Sequence, residues 1–201
     1  MTPTPDRTTV AARLQDFPRR QVDRPDLKQA AVAVCVTEHS GVPALLITRR
    51  AARLRAHAGQ LALPGGRREP GETAVQGALR ELQEEVGLEL APGDVLGVLD
   101  DYVTRSGYVM TPVVCWAGDV GEPVGAEDEV AEIHQVPLAE LDVEPRFIAI
   151  PESAAPVIQL PLLGRPLHAP TAAIVHQFCR AACRGEVIRV AHLEQPVFAW
   201  R

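Results

Sequence analysis

Three glutamates near the middle of the chain are spaced so that they could gather a divalent cation. On a helix over residues 73–86, at about 100° per residue, Glu84 lies near ~300° and Glu85 near ~40° when Glu81 is set to zero. Carboxylates this close repel by roughly 1 to 4 kcal/mol per pair. Mg²⁺ or Mn²⁺, which prefer clustered hard oxygen ligands, would offset that repulsion. The apolar residues occupy an arc from about 60° to 160°, which would pack on a sheet: Val75, Ala78, Leu79, Leu82 and Val86.

A Glu-rich helix face is also compatible with simple solvation. Arg80 and Glu84 have i,i+4 spacing and would then form a surface ion pair worth a few tenths of a kcal/mol. The flanking residues favour the metal site, because the acids belong to a longer pattern. That pattern is Gly66, five residues, Glu72, seven residues, Arg80-Glu81-Leu82, one residue, Glu84-Glu85, one residue, Gly87-Leu88.

This pattern resembles the Nudix box at every fixed position. At a background usage of roughly 6% per position, its chance occurrence is on the order of one in a million. The resemblance implies an α/β Nudix fold, an α/β/α sandwich with a mixed central sheet in which the box forms a loop, a helix and a loop. It also implies Mg²⁺ or Mn²⁺ as cofactor, held by the carbonyl of Gly65 and the side chains of Glu81, Glu84 and Glu85.

The same resemblance implies roles for the neighbouring residues. Arg80 would orient the carboxylates, and Glu72 would support the loop or the metal shell. Proton removal from the attacking water would fall to Glu81 or to a later loop acid, Glu129, and the sequence leaves both open.

The segment before the box bears on the substrate. Residues 45–66, LLITRRAARLRAHAGQLALPGG, resemble the signature of coenzyme A pyrophosphatases. Arginine grips phosphate oxygens bidentately, and coenzyme A carries a diphosphate and a 3′-phosphate. The alternative is that the arginines form surface ion pairs while the other polar residues hold a loop. The predicted substrate-binding residues are Arg50, Arg53, Arg55, His57 and Gln60.

The chain departs from that signature at two places. Leu63 stands where the subfamily usually has Phe, an apolar replacement. Residues 168–172, HAPTA, replace the usual Trp-Gly-x-Thr-Ala, and loss of that aromatic residue would alter an adenine or pantetheine pocket. The alternative is that Pro170 simply begins a helix, a position that suits proline.

The expected function is metal-dependent hydrolysis of coenzyme A or a derivative to 3′,5′-ADP and 4′-phosphopantetheine. One alternative keeps the chemistry but changes the substrate to ADP-ribose or another nucleoside diphosphate derivative. A second is a non-catalytic nucleotide-sensing domain, which the intact acids of the box disfavour.

Composition limits the other classes of partner. The net charge of −6 and the pI of about 5.5 argue against nucleic acid, and no apolar run approaches the roughly 20 residues of a membrane span. The start lacks the apolar core of a signal peptide, and four cysteines without a CxxC pair indicate a reduced, cytoplasmic protein. The expected partner is therefore a small-molecule diphosphate. Oligomeric state stays open, with a homodimer as one option.

The length of 201 residues suits one domain, with residues 1–28 as an N-terminal helix and extension. Hydrophobic periodicity predicts helices over residues 8–17, 73–86 and 171–184. It predicts strands over residues 30–37, 43–48, 95–104, 108–117, 131–136, 146–150, 157–162 and 187–190, the first two joined as a hairpin. Residues 64–66, Pro-Gly-Gly, are expected to break regular structure.

Overall fold

The computed structural model describes residues 4–53 and 58–200. Its helices are α1 (Arg7–Gln15), α2 (Ala74–Val86) and α3 (Thr171–Phe178), the last continuing as a π-helical turn, Cys179–Cys183. A 3-10 turn, Val197–Trp200, lies near the C-terminus. Among these described residues, no helix combines the length and the apolarity needed to cross a membrane. The strands are β1 (Lys28–His39), β2 (Val42–Arg50), β3 (Leu61–Ala62), β4 (Gly65–Arg67), β5 (Val95–Val98), β6 (Tyr102–Val103), β7 (Tyr108–Asp119), β8 (Val130–Pro137), β9 (Arg146–Ile150), β10 (Ser153–Leu162) and β11 (Arg165–His168).

The central sheet is mixed. Its main strand order is β3-β2-β1-β7-β5, with β4 paired to β1, β6 to β7 and β8 to β2. The β1–β7 pair is parallel and places Cys35 opposite Cys115, whereas the other pairs are antiparallel. The predicted β1–β2 hairpin is confirmed, and its turn uses Ser40 and Gly41 at φ of 52° and 75°.

The sheet is covered on both faces because β1 alternates between two hydrophobic cores. Alternate residues Ala31, Ala33 and Cys35 pack with Ala78, Leu82 and Val86 of α2. The intervening residues Val32, Val34 and Val36 belong to a second core, which α1, α3 and the smaller β9–β10–β11 sheet complete. This arrangement confirms the predicted α/β/α sandwich.

Local capping chemistry sets the bounds of α2 as predicted. The Thr73 hydroxyl accepts a hydrogen bond from the Gln76 backbone N–H at 3.2 Å, and the Gln76 side chain accepts one from the Thr73 N–H at 2.9 Å. This reciprocal pair is a capping box. At the other end Gly87 adopts φ of 71°, a left-handed conformation that glycine reaches at little cost.

Three predicted features differ from the structure, and two short strands were not predicted. Gly65 and Gly66 do not break regular structure, because they belong to β4 and pair with β1. The single strand predicted over residues 95–104 is split into β5 and β6 by three intervening residues. Residues 187–190 form no strand, and the Ile188 carbonyl instead accepts a hydrogen bond from Gln177 at 3.0 Å. Strands β3 and β11 had no counterpart in the prediction.

Buried aspartates explain the split between β5 and β6. Asp100 accepts hydrogen bonds from the Arg20 backbone N–H at 2.7 Å, from the Arg189 guanidinium at 2.8 and 2.9 Å, and from the Gln177 amide at 2.9 Å. Asp101 likewise binds Arg19 at 2.9 Å. These bonds hold the segment after α1 against the sheet.

Replacing Asp100 by alanine should destabilise the protein by about 3–5 kcal/mol, because it leaves the Arg189 charge without its buried counterpart. Urea unfolding followed by circular dichroism measures the loss. The matched control is Asp26→Ala, which removes an exposed carboxylate paired with Arg24 and should leave the unfolding midpoint nearly unchanged. Equal midpoints for the two variants would contradict the importance of the buried network.

Candidate metal and active site

The loop before α2 comes into direct contact with the carboxylate face of the helix. Strand β4 places Gly66 opposite Ala31 of β1, and α2 packs over the same part of the sheet. The approach is so close that a Cβ added to Gly66 would lie 2.4 Å from Oε1 of Glu81. The sequence pattern therefore corresponds to a contact between glycine backbone and glutamate carboxylate.

Replacing Gly66 by alanine should displace the Glu81 carboxylate and lower any metal-dependent activity by about 10- to 100-fold, with little loss of stability. The stability cost is small because the atom met is the end of a flexible side chain. Turnover with added Mg²⁺ and thermal unfolding measure the two effects. Gly93→Ala is the control, since a Cβ there meets nothing within 4 Å. Normal turnover by the Gly66 variant would show that this contact is dispensable.

Arg80 connects the loop and the helix. Its Nε donates to Oε1 of Glu72 and its Nη1 donates to Oε1 of Glu81 and Oε2 of Glu84, each at 2.9 Å. Its Nη2 donates to the Arg67 carbonyl at 3.2 Å. The bond to Arg80 lowers the pKa of Glu72. Arg80 therefore has four hydrogen-bond partners, whereas a solvated helix face predicts only the i,i+4 pair with Glu84.

Glu85 is the most buried acid of the group, with 4% of its side chain exposed. Burial raises its pKa to about 7; the Arg50 guanidinium, whose Nη1 lies 4.0 Å from Oε1 of Glu85, opposes this shift, and the charge of Glu81 adds to it. Burial also raises the pKa of Glu81, against the effect of Arg80. Two adjacent carboxyls are thus held in surroundings that disfavour their negative charge.

A divalent cation fits this donor set. Its members are hard oxygens, and a cation would relieve both the desolvation and the mutual repulsion of the buried carboxyls. In the described part of the chain, no three Asp, Glu, His or Cys side chains already stand together as a ligand group. The exposed Glu84 carboxylate accepts a hydrogen bond from Arg80 through Oε2, so recruiting that oxygen as a metal ligand requires it to leave the guanidinium.

The acidic loop that precedes β8, residues 126–129, is hydrogen-bonded to α2 and to the residue after β2. The Ala126 N–H donates to the backbone carbonyl of Glu85 at 2.9 Å, and the Ala51 N–H donates to the carbonyl of Glu129 at 2.8 Å. The Glu129 side chain is exposed, and its charge helps to raise the pKa values of Glu81 and Glu85. Glu81 and Glu129, the two candidate bases, therefore share one electrostatic cluster.

Comparison with known proteins identifies the family. The model of the NUDIX domain matches residues 27–159, about two thirds of the chain. The chain belongs to the Nudix family. The matched region includes the central sheet from β1 to β8 and the whole of the Nudix box on β4 and α2.

Relatives and solved structures agree with this assignment. The Uncharacterized Nudix hydrolase NudL of Cronobacter sakazakii is 43% identical over 125 residues, 61% of this chain and 65% of the relative. The protein of the same name from Pectobacterium atrosepticum is 45% identical over 114 residues, 56% and 59% of the two chains. The match thus spans less than two thirds of either relative.

Two crystal structures share the fold at low sequence identity. They are the Nudix hydrolase RenU of M. smegmatis (TM-score 0.53, 22% identity, 81% of this chain and 89% of that one) and a NUDIX hydrolase of Alicyclobacillus acidocaldarius (TM-score 0.54, 18% identity, 87% and 100%). At these identities the likeness concerns the Nudix fold alone.

The predicted substrate-binding residues of this Nudix chain fall into three groups. Arg50, at the end of β2, lies beside Glu85, and its Nε is buried without a hydrogen-bond partner in the described ranges. Arg53 instead pairs with Asp128 and donates to the Glu127 carbonyl at 2.6 Å. The Gln60 carbonyl accepts a bond from the Arg50 N–H at 2.9 Å. Arg55 and His57 lie outside the described residues.

Two residues that contact the predicted segments carry no signal in the sequence pattern. Ala126 acts through its backbone N–H, which any residue except proline could supply. Phe198, near the C-terminus, lies with its ring centroid 5.2 Å from that of His168, one of the residues that depart from the subfamily signature. An isolated aromatic after an irregular segment gives no periodicity to detect.

Proposed function

We propose that this protein is a metal-dependent hydrolase of the diphosphate linkage in coenzyme A or a close derivative, with 3′,5′-ADP and 4′-phosphopantetheine as products. One observation carries the proposal: Glu85 and Glu81 are neighbouring glutamates whose pKa values burial raises. The Gly66 backbone approaches Glu81 closely, and Arg50 lies beside Glu85. A protein interior tolerates such a cluster when a cation and an anionic ligand balance it.

The metal ligands in this proposal are the Gly65 carbonyl and the carboxylates of Glu81, Glu84 and Glu85. Their oxygens suit Mg²⁺ or Mn²⁺. When bound, either metal lowers the pKa of water and neutralises charge on the diphosphate oxygens.

The chain's own residues hold the carboxylates in position, take the proton from the attacking water and orient the diphosphate. Arg80 holds Glu72, Glu81 and Glu84 in one network, which limits where their carboxylates can move. Either Glu81 or Glu129 takes the proton from the attacking water. The Arg50 side chain is 27% exposed, so its guanidinium can donate to a diphosphate oxygen and so fix the phosphorus for in-line attack.

The preference for coenzyme A rests on the segment before the box. Thr48, Arg50, Gly59 and Gln60 match the coenzyme A pyrophosphatase signature. Two contacts support a role for this segment: Arg50 lies 4.0 Å from Glu85, and the Arg50 backbone is hydrogen-bonded to Gly59 and Gln60. Arg53 contributes indirectly, by holding the acidic loop through Asp128 and Glu127. We also place the protein in a reducing, cytoplasmic compartment, in line with the four buried free cysteines, and a homodimer stays one option.

A substrate panel tests the proposal. Coenzyme A, acetyl-coenzyme A, oxidised coenzyme A, ADP-ribose and an oxidised nucleoside triphosphate are incubated with Mg²⁺ or with Mn²⁺, and the products are identified by mass spectrometry. We expect release of 3′,5′-ADP from the coenzyme A compounds, with the highest kcat/KM in the panel. Faster cleavage of ADP-ribose would move the assignment to that substrate. No cleavage of any diphosphate would overturn the proposal.

A further inference from the structure

One cavity of the described structure is lined by none of the glutamates of the cluster, Glu81, Glu84 and Glu85. It has a volume of about 270 Å³ and lies between the segment entering β3, β11, the start of α3 and the C-terminal 3-10 turn. Ligand sites that enclose a whole drug-sized molecule measure roughly 300–1,000 Å³, so this one suits a single ring system. The lining residues that matter here are Gln60, Leu61, His168, Pro170, Thr171 and Phe198.

Phe198 offers this cavity an open aromatic surface. Its ring meets that of His168 at an interplanar angle of 85°, so the two rings are not stacked on each other. More than half of Phe198, 54%, is exposed. A large exposed aromatic at the wall of a cavity favours contact with a ligand, and flat rings stack well on phenylalanine.

The segment that carries Phe198 is fixed in place. The Trp200 Nε1–H donates to the Gln195 carbonyl at 2.9 Å, and the Arg105 guanidinium lies 5.0 Å from the centre of the Trp200 ring. Arg105 is itself paired with the buried carboxylate of Glu194. Because both sides of the turn are held, Phe198 keeps its position before a ligand arrives, which lowers the entropy cost of binding.

His168 adds a hydrogen-bond donor to the cavity wall. Its Nε2 lies 2.9 Å from the Gln159 side-chain nitrogen, and burial lowers the pKa of the His168 ring. The ring is therefore neutral at pH 7. Because an amide nitrogen can only donate, Nε2 accepts from Gln159 and the ring hydrogen is on Nδ1, which leaves this lining residue with one potential donor.

The cavity is linked to the glutamate cluster through one backbone hydrogen bond and Arg50. Gln60 lines the cavity, and its carbonyl accepts the hydrogen bond from the Arg50 N–H at 2.9 Å. The Arg50 guanidinium in turn lies 4.0 Å from Glu85. The cavity and the glutamates therefore adjoin the same pair of hydrogen-bonded residues, Arg50 and Gln60.

We propose that this cavity binds the nucleobase of the diphosphate substrate, stacked on Phe198. The inference rests on the proposed function for the position of the diphosphate. The base is a planar nitrogen heterocycle such as adenine, which would match the aromatic wall, the small volume and the His168 donor.

Binding of a product, adenosine 3′,5′-bisphosphate, tests the assignment without turnover. Calorimetry with Mg²⁺ present should show that Phe198→Ala raises the Kd by about five- to 100-fold, the range for loss of one stacked base, whereas Phe198→Trp retains binding. The matched control is Phe147→Ala on β9, where an equally exposed phenylalanine, at 53%, lies outside the lining of the cavity. That control should bind as the unaltered protein does.

The outcomes separate this inference from the proposed function. In turnover assays Phe198→Ala should raise the KM for a base-containing diphosphate while leaving kcat at saturation unchanged. If the unaltered protein cleaves diphosphates and Phe198→Ala behaves identically, the cavity assignment alone is overturned. If Phe198→Ala weakens the binding of 4′-phosphopantetheine and leaves the binding of the bisphosphate unchanged, the cavity holds the pantetheine chain and the nucleobase assignment is wrong. Phe198-dependent binding of the bisphosphate without any cleavage would support the cavity and reject the hydrolase.

Discussion

Glu85→Gln will lower diphosphate hydrolysis by more than about 100-fold while leaving the fold intact. Changes to residues that merely support metal ligands cost 10- to 100-fold, and a lost ligand should cost more. The substitution keeps the shape of the side chain and removes its charge, so circular dichroism should be unchanged. Turnover is measured over a Mg²⁺ and Mn²⁺ titration, because a weakened site partly recovers at high metal concentration if only affinity is lost.

The same substitution should stabilise the metal-free protein at alkaline pH. Burial raises the pKa of Glu85 from 4.5 to about 7, so the folded protein holds this proton more tightly than the unfolded chain does. The stability associated with the protonated group is fully present below about pH 4.5 and is lost as pH rises to 7 and above, by an amount on the order of 3 kcal/mol. Glutamine stays neutral and escapes that loss.

Urea unfolding at pH 5 and pH 8, in the presence of a chelator, measures this pH effect. The difference in stability between variant and unaltered protein should grow in favour of the variant towards pH 8. Added Mg²⁺ should then stabilise the unaltered protein and not the variant, because only a site that binds metal gains from it. The control is Glu89→Gln, which neutralises an exposed glutamate beyond Gly87. If Glu85→Gln hydrolyses diphosphates normally, Glu85 is no metal ligand.

Arg80→Ala should reduce both activity and stability. The arginine donates to three carboxylates and to the Arg67 carbonyl, and alanine would leave Glu72 and Glu81 partly buried without their counter-charge. We expect about 2–3 kcal/mol of lost stability and at least a tenfold lower kcat. Arg80→Lys should restore little, since an ammonium group cannot reproduce the planar fork of donors.

A surface arginine supplies the comparison for Arg80. Within residues 4–53 and 58–200, Arg180 forms a salt bridge with Glu186 alone. Arg180→Ala should cost at most about 1 kcal/mol and leave kcat unchanged. Thermal unfolding and steady-state kinetics on the three variants measure both effects. Similar losses for Arg80→Ala and Arg180→Ala would mean that Arg80 belongs to an ordinary solvated helix face after all.

Local chemistry made much of the fold predictable from sequence. The bounds of α2 follow from Thr73, Gln76 and Gly87, all close to the helix ends, and the β1–β2 hairpin follows from two β-prone runs around a short turn. The split between β5 and β6 could not be predicted, because Asp100 is held by Arg189 and Gln177, which are far away in sequence. Long-range polar contacts leave no periodic signal.

The carboxylate cluster, Glu81, Glu84 and Glu85, was also only partly predictable from the sequence. Helical angles placed Glu81, Glu84 and Glu85 on one face, and the structure keeps them on neighbouring turns of α2. The angles could not show that Glu85 is buried while Glu84 is exposed, since that difference comes from packing against the sheet and the acidic loop. The nucleobase cavity was equally invisible, because it joins Gln60, His168 and Phe198 only in the folded chain.

Glu85 takes part in the site through two separate atoms. Its side chain faces the arginine, while its main-chain oxygen holds the N–H of Ala126 and so the loop that leads to Glu129. A side-chain substitution leaves that second link in place, so the variants of Glu85 can test charge without releasing the loop. The main-chain bond therefore joins the helix that carries one candidate proton acceptor, Glu81, directly to the loop that carries the other, Glu129.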